Sequence, residues 1–159
     1  MKTKILFVCL GNICRSPAAE AVFWHQVTNK GLNDCFEVDS AGTGSWHVGQ
    51  PSDQRMRIAA QKRGINISSL ARQINLDDFQ KYDLILTMDK DNFDAVLNLG
   101  CHLNKKIVSK IKPLLSYAEN TNSLEVPDPY YGGDRGFDLV LDLLDDACNG
   151  LISQLTTQV

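Results

Sequence analysis

A cysteine and an arginine separated by five residues, Cys9 and Arg15, form the part of the sequence best suited to chemistry. Cys9 ends a short apolar run, and Ser16 and Pro17 suit the first turn of a helix. A loop that leads into a helix N-terminus directs backbone N–H groups and the positive end of the helix dipole at one point, so it can bind an anion. Arg15 can add a two-pronged hydrogen bond to phosphate oxygens, and Gly11 allows a tight turn.

The thiol of Cys9 would lie in the positive electrostatic field of these N–H groups and of Arg15. Helix N-terminal amides and a nearby arginine favour the thiolate form of a cysteine, and a thiolate below a bound phosphate is placed for in-line attack on phosphorus. The spacing therefore predicts phosphoryl transfer with a cysteine nucleophile. The simpler alternative is a buried cysteine at a strand end beside a solvated arginine. A P-loop NTPase is excluded, because the loop has no G-x4-G-K-[ST] pattern.

The composition is that of one globular domain over residues 1–159. Hydrophobic residues make up 43% of the chain, and the net charge of −3 provides no field for a polyanion, so nucleic acid is not expected as a partner. No apolar run approaches the roughly 20 residues that cross a bilayer, so no membrane association is expected. Five cysteines, an odd number, favour free thiols and predict a cytoplasmic protein. The histidines lack metal-ligand spacing, and no metal site is predicted.

Short apolar runs alternate with segments of helical periodicity along the chain. Loops rich in glycine, serine or proline follow several of these segments. The alternation predicts an α/β fold with a mainly parallel sheet, helices on both faces, and ligand sites at the carboxyl ends of the strands. Strands are predicted at residues 5–10, 35–39 and 82–88, helices at residues 16–31, 53–64, 89–100 and 137–155, and loops at residues 40–45 and 127–133.

The segment around Cys9 resembles the signature of the low-molecular-weight protein tyrosine phosphatases. Its residues 8–17 read VCLGNICRSP. The resemblance implies one three-layer domain with a four-stranded parallel sheet and helices on both faces. It also implies hydrolysis of phosphotyrosine through a phosphocysteine intermediate, with no metal and no cofactor. The resemblance spans nearly the whole chain, through residues 39–43, Trp46, residues 71–73, residues 88–89 and residues 128–132.

The resemblance assigns three catalytic roles. Cys9 would be the nucleophile, and Arg15 would hold the phosphoryl oxygens as charge spreads in the transition state. Asp128 would protonate the departing tyrosine oxygen and then activate water against the phosphocysteine. The phosphate-binding residues carried over with them are Leu10, Gly11, Asn12, Ile13, Cys14 and Ser16.

The resemblance also implies a network that supports the loop. Ser16 would hydrogen-bond the sulfur of Cys9; the other expectation is a plain helix cap, a role compatible with that bond. Asn12 and Ser40 would hold the loop in shape. The family commonly has a histidine in this network, and Ser69 stands at the aligned position here.

Three aromatic residues, Trp46, Tyr130 and Tyr131, would form the wall of a deep cleft for a flat ring, so that phosphotyrosine in a protein reaches Cys9 and phosphoserine does not. The two tyrosines are phosphorylated in some relatives, which makes a tyrosine kinase a candidate partner. Cys14 is a candidate to trap an oxidised Cys9 as a disulfide, as in relatives. The chain is expected to be a monomer or a weak dimer.

Three alternatives stay open. Arsenate reductases share this loop but need further relay cysteines, and Met88 stands at the strand end where one would lie. Protein arginine phosphatases tend to carry threonine where this chain has Ile13. A non-catalytic phosphotyrosine-binding or redox-sensing module could use the same anion site, but it would require neither Cys9 nor Asp128.

Overall fold

Four parallel strands form the centre of the protein. The computed structural model describes residues 1–130 and 132–157. The strands lie in the order β2-β1-β3-β4, and every neighbouring pair is parallel. The predicted α/β fold with a four-stranded parallel sheet is therefore confirmed. The strands are β1 (Thr3–Cys9), β2 (Phe36–Gly42), β3 (Leu84–Thr87) and β4 (Ile111–Pro113).

Helices cover both faces of the sheet. The last helix continues to Thr157 and, like the first, packs on the face that holds Ile5 and Phe7. Within the described part of the chain, no helix is long and apolar enough to cross a membrane. The helices are α1 (Arg15–Asn29), α2 (Gln54–Gln61), α3 (Asp78–Lys81), α4 (Lys90–Gly100), α5 (Lys105–Val108) and α6 (Asp134–Thr157).

The central strand β1 is apolar on both sides because the core has two halves. Side chains alternate along a strand, so Ile5 and Phe7 face one layer while Leu6 and Val8 face the other. All four are completely buried. This two-sided burial explains why β1 is a continuous apolar run and not an alternating one.

Strand β2 starts later and runs further than predicted. The sequence predicts a strand at residues 35–39, but Cys35 belongs to a short 3-10 turn and the strand continues to Gly42. It continues because Ala41 and Gly42 pair in register with the last two residues of β1. A side chain at Gly42 would come within 2.7 Å of the carbonyl oxygen of Leu10, so glycine lets the loop after β1 pack directly against β2.

Candidate active site

A cavity of about 380 Å³ opens at the carboxyl end of β1. A phosphorylated aromatic side chain fits a cleft of this size. The cavity brings together most of the site residues that the sequence predicts, although they come from three separate parts of the chain. Its lining consists of Cys9, Leu10, Gly11, Ile13, Cys14, Arg15, Trp46, His47, Asp128 and Tyr130.

The loop at residues 10–14 binds neighbouring segments through some of its carbonyl groups. The carbonyl oxygens of Cys9, Leu10 and Ile13 accept hydrogen bonds of 2.9, 2.9 and 2.7 Å from backbone N–H groups that follow β2 or precede α2. In a trans peptide the C=O and the next N–H point in opposite directions, so the N–H groups of Leu10, Gly11 and Cys14 point to the other side. The loop therefore presents donors to the cavity, as an anion site requires.

The sulfur of Cys9 lies among polar partners at the base of the cavity. It is 3.0 Å from the hydroxyl of Ser16, and it accepts the backbone N–H of Asn12 at 3.3 Å. The side chain of Asn12 donates to the same hydroxyl at 2.7 Å, and the Ser16 hydroxyl proton has two acceptors within reach, the carbonyl oxygen of Ala41 at 3.3 Å and the Cys9 sulfur. Hydrogen bonds of this kind stabilise a thiolate.

Asn12 has an unusual backbone conformation, and its side chain holds the loop in place. Its φ is 58°, in the left-handed region that asparagine tolerates better than most residues. Its side-chain oxygen accepts the backbone N–H of Arg72 at 3.0 Å. Asn12 therefore joins the loop to a distant segment as well as to Ser16.

Ser16 lies inside the first turn of α1 and not at its cap. The helix begins at Arg15, and the capping position is Cys14, which makes no side-chain capping bond. The Ser16 hydroxyl instead contacts the Cys9 sulfur, the side chain of Asn12 and the carbonyl of Ala41. The predicted role as a helix cap is thus wrong.

The contact of Ser40 differs from the prediction. Its hydroxyl donates to the carboxyl of Glu20 on α1 at 2.7 Å, and the bonds described for its side chain include none to residues 9–15. Alternation along β2 explains this, since Ser40 faces α1. Burial raises the pKa of Glu20 to about 7, against the hydrogen bond from Ser40. Ser69 and Glu20 both line a separate cavity of about 90 Å³.

Replacing Glu20 with glutamine is expected to remove a pH-dependent loss of stability. Because the pKa of this carboxyl is raised from 4.5 to about 7 on folding, the folded chain holds a proton there that the unfolded chain releases. Stability therefore falls as the pH rises between these two values, by about 1–2 kcal/mol for a partly solvated group. Glutamine still accepts from Ser40 but carries no charge, so Glu20→Gln should flatten this slope.

Urea denaturation at about pH 5 and about pH 8 measures this slope. Glu125→Gln, which removes an exposed carboxylate, is the matched control and should keep the slope of the native chain. A Glu20→Gln variant that keeps the slope of the native chain would contradict the prediction.

Arg15 is buried and held by three groups at the edge of the cavity. One terminal nitrogen donates to Asp89 at 2.6 Å and to the carbonyl of Val126 at 3.0 Å, and the other lies 3.6 Å from the carboxylate of Asp128. Burial by itself lowers the pKa of Arg15, but the nearby Cys9 and Asp89 raise it above its usual value. The guanidinium therefore stays charged where a phosphate would bind.

Asp89 is a site residue that sequence reasoning missed. The sequence predicts that a helix begins at Asp89, and one of its oxygens caps that helix by accepting the N–H of Asn92 at 2.7 Å at the start of α4. Its other oxygen binds Arg15. The signal was available, because Asp89 follows β3, whose carboxyl end lies beside that of β1.

Asp128 reaches the cavity from the loop before α6. Its side chain is exposed by 41%, and one carboxylate oxygen accepts the N–H of Tyr130 at 3.0 Å. Pro127 and Pro129 restrict the backbone on either side. A carboxylate on the open side of the cavity, opposite a buried sulfur, suits proton exchange with a leaving group or with water.

The rim of the cavity is aromatic. Trp46 is 69% exposed and lies over Gly44, where a side chain would overlap the indole ring. His47, which the sequence analysis did not include, lies between the loop and Tyr130, with the two ring centres 6.2 Å apart. Tyr131, the third predicted aromatic, lies outside the described residues.

Cys14 lines the cavity as a buried thiol. Burial, and next the charge of Asp53, raises the pKa of Cys14 above its ordinary value, so it stays protonated at neutral pH. A protonated thiol is a poor nucleophile, so Cys14 is not suited to the role predicted for Cys9. Both sulfurs are free, and a redox pairing between them stays a prediction.

Known proteins are similar to this chain in sequence and in fold over nearly its full length. The family described as low molecular weight phosphotyrosine protein phosphatase matches residues 4–159. The Schizosaccharomyces pombe protein of that name is 44% identical over 154 residues, which are 94% of this chain and 96% of the relative.

Solved structures show the same relationship. The crystal structure of a protein tyrosine phosphatase from Entamoeba histolytica has a TM-score of 0.94 and 43% identity, and the match covers 99% of each chain. That of a Drosophila arginine phosphatase has a TM-score of 0.89 and 33% identity, over 98% of each chain. Sequence and fold together show that the chain belongs to the low molecular weight phosphotyrosine protein phosphatase family.

Proposed function

We propose that this chain hydrolyses phosphotyrosine in proteins or peptides with Cys9 as nucleophile, Arg15 as the phosphate clamp and Asp128 as the general acid and base. The observation that carries the proposal is the arrangement of these three residues around one cavity, which all three line. The buried sulfur accepts the N–H of Asn12, and the buried guanidinium lies 3.6 Å from the partly exposed carboxylate.

The first step transfers the phosphoryl group to sulfur. The thiolate of Cys9 attacks phosphorus, an S–P bond forms and the bond from phosphorus to the tyrosine oxygen breaks. Asp128 gives its proton to that oxygen, so tyrosine leaves as a neutral phenol. The loop N–H groups and Arg15 stabilise the charge on the equatorial oxygens, after Arg15 exchanges contacts with Val126 or Asp128 for the phosphate.

The second step releases inorganic phosphate. Asp128, now ionised, takes a proton from a water molecule whose oxygen attacks phosphorus, and the S–P bond breaks to return the thiolate of Cys9. The Ser16 hydroxyl and the N–H of Asn12 stabilise the sulfur as it leaves. The cycle restores Asp128 to its protonated form.

The choice of substrate follows from the depth of the Cys9 sulfur in the cavity and from the aromatic residues at the rim of the cavity. The sulfur is buried and Cys9 is only 2% exposed, so a phosphate must be carried inward on a long side chain. The Trp46 and Tyr130 side chains offer faces for a ring on the way. These features favour phosphotyrosine over phosphoserine. Residues 1–159 are proposed to act as one cytoplasmic domain, a monomer or weak dimer, with a tyrosine kinase as the opposing enzyme.

Phosphate release from matched phosphotyrosine, phosphoserine and phosphoarginine peptides tests this proposal. The assay contains a metal chelator and runs between about pH 5 and about pH 7, where a carboxyl group can exchange protons. We expect turnover of the phosphotyrosine peptide, with phosphoserine slower by at least about 100-fold. Preference for phosphoarginine, as the Drosophila neighbour's name suggests, would overturn the specificity, and no hydrolysis at all would overturn the proposed function.

A further inference from the structure

Arg55, in the first turn of α2, lies outside the catalytic cavity but contacts the segment that carries Asp128. We name residues 126–130 the acid segment. We propose that Arg55 is a positioning residue that fixes the acid segment against α2 and so places the Asp128 carboxylate over the cavity. The proposal rests on the proposed function, because it assigns Arg55 a role in the proton transfer by Asp128.

Arg55 is anchored through Asp53 to the loop at residues 10–14, which we name the phosphate loop. The guanidinium donates to both carboxylate oxygens of Asp53, at 3.2 and 2.9 Å, and the backbone N–H of Arg55 donates to the first of them at 2.8 Å. The backbone N–H of Asp53 in turn donates to the carbonyl of Ile13 at 2.7 Å. Two parallel hydrogen bonds to a carboxylate fix the plane of a guanidinium, which a lysine could not reproduce.

Arg55 also holds the acid segment. The same terminal nitrogen that donates to Asp53 donates to the carbonyl of Tyr130 at 2.8 Å. The guanidinium also lies 5.6 Å from the centre of the Tyr130 ring and 4.8 Å from that of Phe137 on α6, distances at which cation–π attraction acts. Arg55 therefore joins α2, the acid segment and α6 at one point.

These contacts fix the carboxylate of Asp128 through the backbone of Tyr130. The carbonyl of Tyr130 is bound by Arg55, and its N–H is bound by Asp128 at 3.0 Å. The far end of the acid segment is held at Val126, whose N–H donates to the carbonyl of Met88 at 2.7 Å. Val126 is fixed on the β3 side and Tyr130 on the α2 side. The position of Asp128, which lies between them in the chain, therefore depends on both contacts.

Loss of Arg55 releases one of these attachments and leaves the other intact. The acid then spends less time in hydrogen-bonding range of the leaving oxygen, and proton donation suffers while the phosphate loop is unchanged. Because kcat/KM reports the steps up to departure of the leaving group, its loss should appear only with substrates whose leaving group needs a proton.

Arg55→Ala tests the proposal with two substrates on the full chain. We expect kcat/KM to fall by about tenfold for a phosphotyrosine peptide and by less than about threefold for 2,4-dinitrophenyl phosphate, whose phenolate departs without a proton. The inhibition constant of inorganic phosphate should stay within about twofold, because phosphate binds the loop and Arg15. Arg55→Lys keeps the charge but not the fork, and is expected to lie nearer the alanine variant on the peptide substrate.

Arg57→Ala is the matched control. Arg57 is on the same helix, is exposed, and donates to the carbonyl of Ser52 instead of to the acid segment. It should change neither substrate by more than about twofold. An equal loss on both substrates, a weaker phosphate complex, or no loss in Arg55→Ala would each overturn the proposal.

The two proposals fail in different ways. The proposed function fails in the native chain, if it does not hydrolyse the phosphotyrosine peptide. The role of Arg55 fails only in the comparison between variants. If circular dichroism shows that Arg55→Ala is unfolded, the conservative Arg55→Lys variant takes its place in the test. A fall in kcat/KM of equal size for both substrates in Arg55→Lys would then overturn the proposal.

Discussion

Cys9→Ser is expected to lower kcat for a phosphotyrosine peptide by about 10⁴-fold or more. The serine hydroxyl is close in shape to the thiol, so the hydrogen bonds from Asn12 and Ser16 can persist. A hydroxyl does not ionise at neutral pH in this setting, however, and among the residues that the structure describes no histidine makes a hydrogen bond at that position to take its proton. The nucleophile is lost while the anion site remains.

Two measurements separate chemistry from binding in this variant. Steady-state phosphate release gives the loss of kcat, and calorimetric titration with the phosphotyrosine peptide should still detect binding. Cys101→Ser, which changes an exposed cysteine outside the cavity, is the matched control and should keep the native rate. Activity of Cys9→Ser above about a tenth of the native rate would mean that sulfur is not the nucleophile.

Asp128→Asn is expected to lower kcat/KM for the phosphotyrosine peptide by about 10²- to 10³-fold. Asparagine keeps the shape of the side chain and can still accept the N–H of Tyr130, so the loop geometry is retained. It has no acidic proton to give to the leaving oxygen. The tyrosine must then leave as an anion, which is the costly outcome for a poor leaving group.

The dependence on the leaving group identifies this mechanism. A series of aryl phosphates with increasingly acidic phenols should show a steep dependence of kcat/KM in Asp128→Asn and a shallow one in the native chain. Asp91→Asn, an exposed aspartate in the first turn of α4, is the matched control and should keep the shallow dependence. A parallel loss across the series in Asp128→Asn would assign Asp128 to binding instead of proton transfer.

The part of the site that is contiguous in the chain could be predicted from the sequence. The segment from Cys9 to Ser16 joins a buried strand to a helix, and the order strand, loop, helix is itself what turns N–H groups inward. The apolar run of β1 likewise required burial on both faces. These features depend on local conformation and periodicity, which neighbouring residues determine.

The acid segment could also be predicted from the sequence, but for a different reason. The prolines around Asp128 mark a loop, but the position of that loop next to Arg15 followed only from the resemblance to a family. Periodicity carries no information about which loop approaches which strand end. The boundaries of β2 were misjudged for a related reason, since pairing with β1 extended the strand beyond its alternating pattern.

Contacts between distant segments required the folded chain. The partner of Arg15 is Asp89 on the neighbouring strand end, the partner of Ser40 is Glu20 on a covering helix, and Arg55 joins α2 to Tyr130. Each of these side chains also has an ordinary local role, as a helix cap, a strand residue or a surface charge. The amino-acid order thus specified the nucleophile and its loop through local geometry. The packing of α1, α2 and β3 around that loop selected the charges that face it, because such choices depend on distances that a linear pattern does not contain.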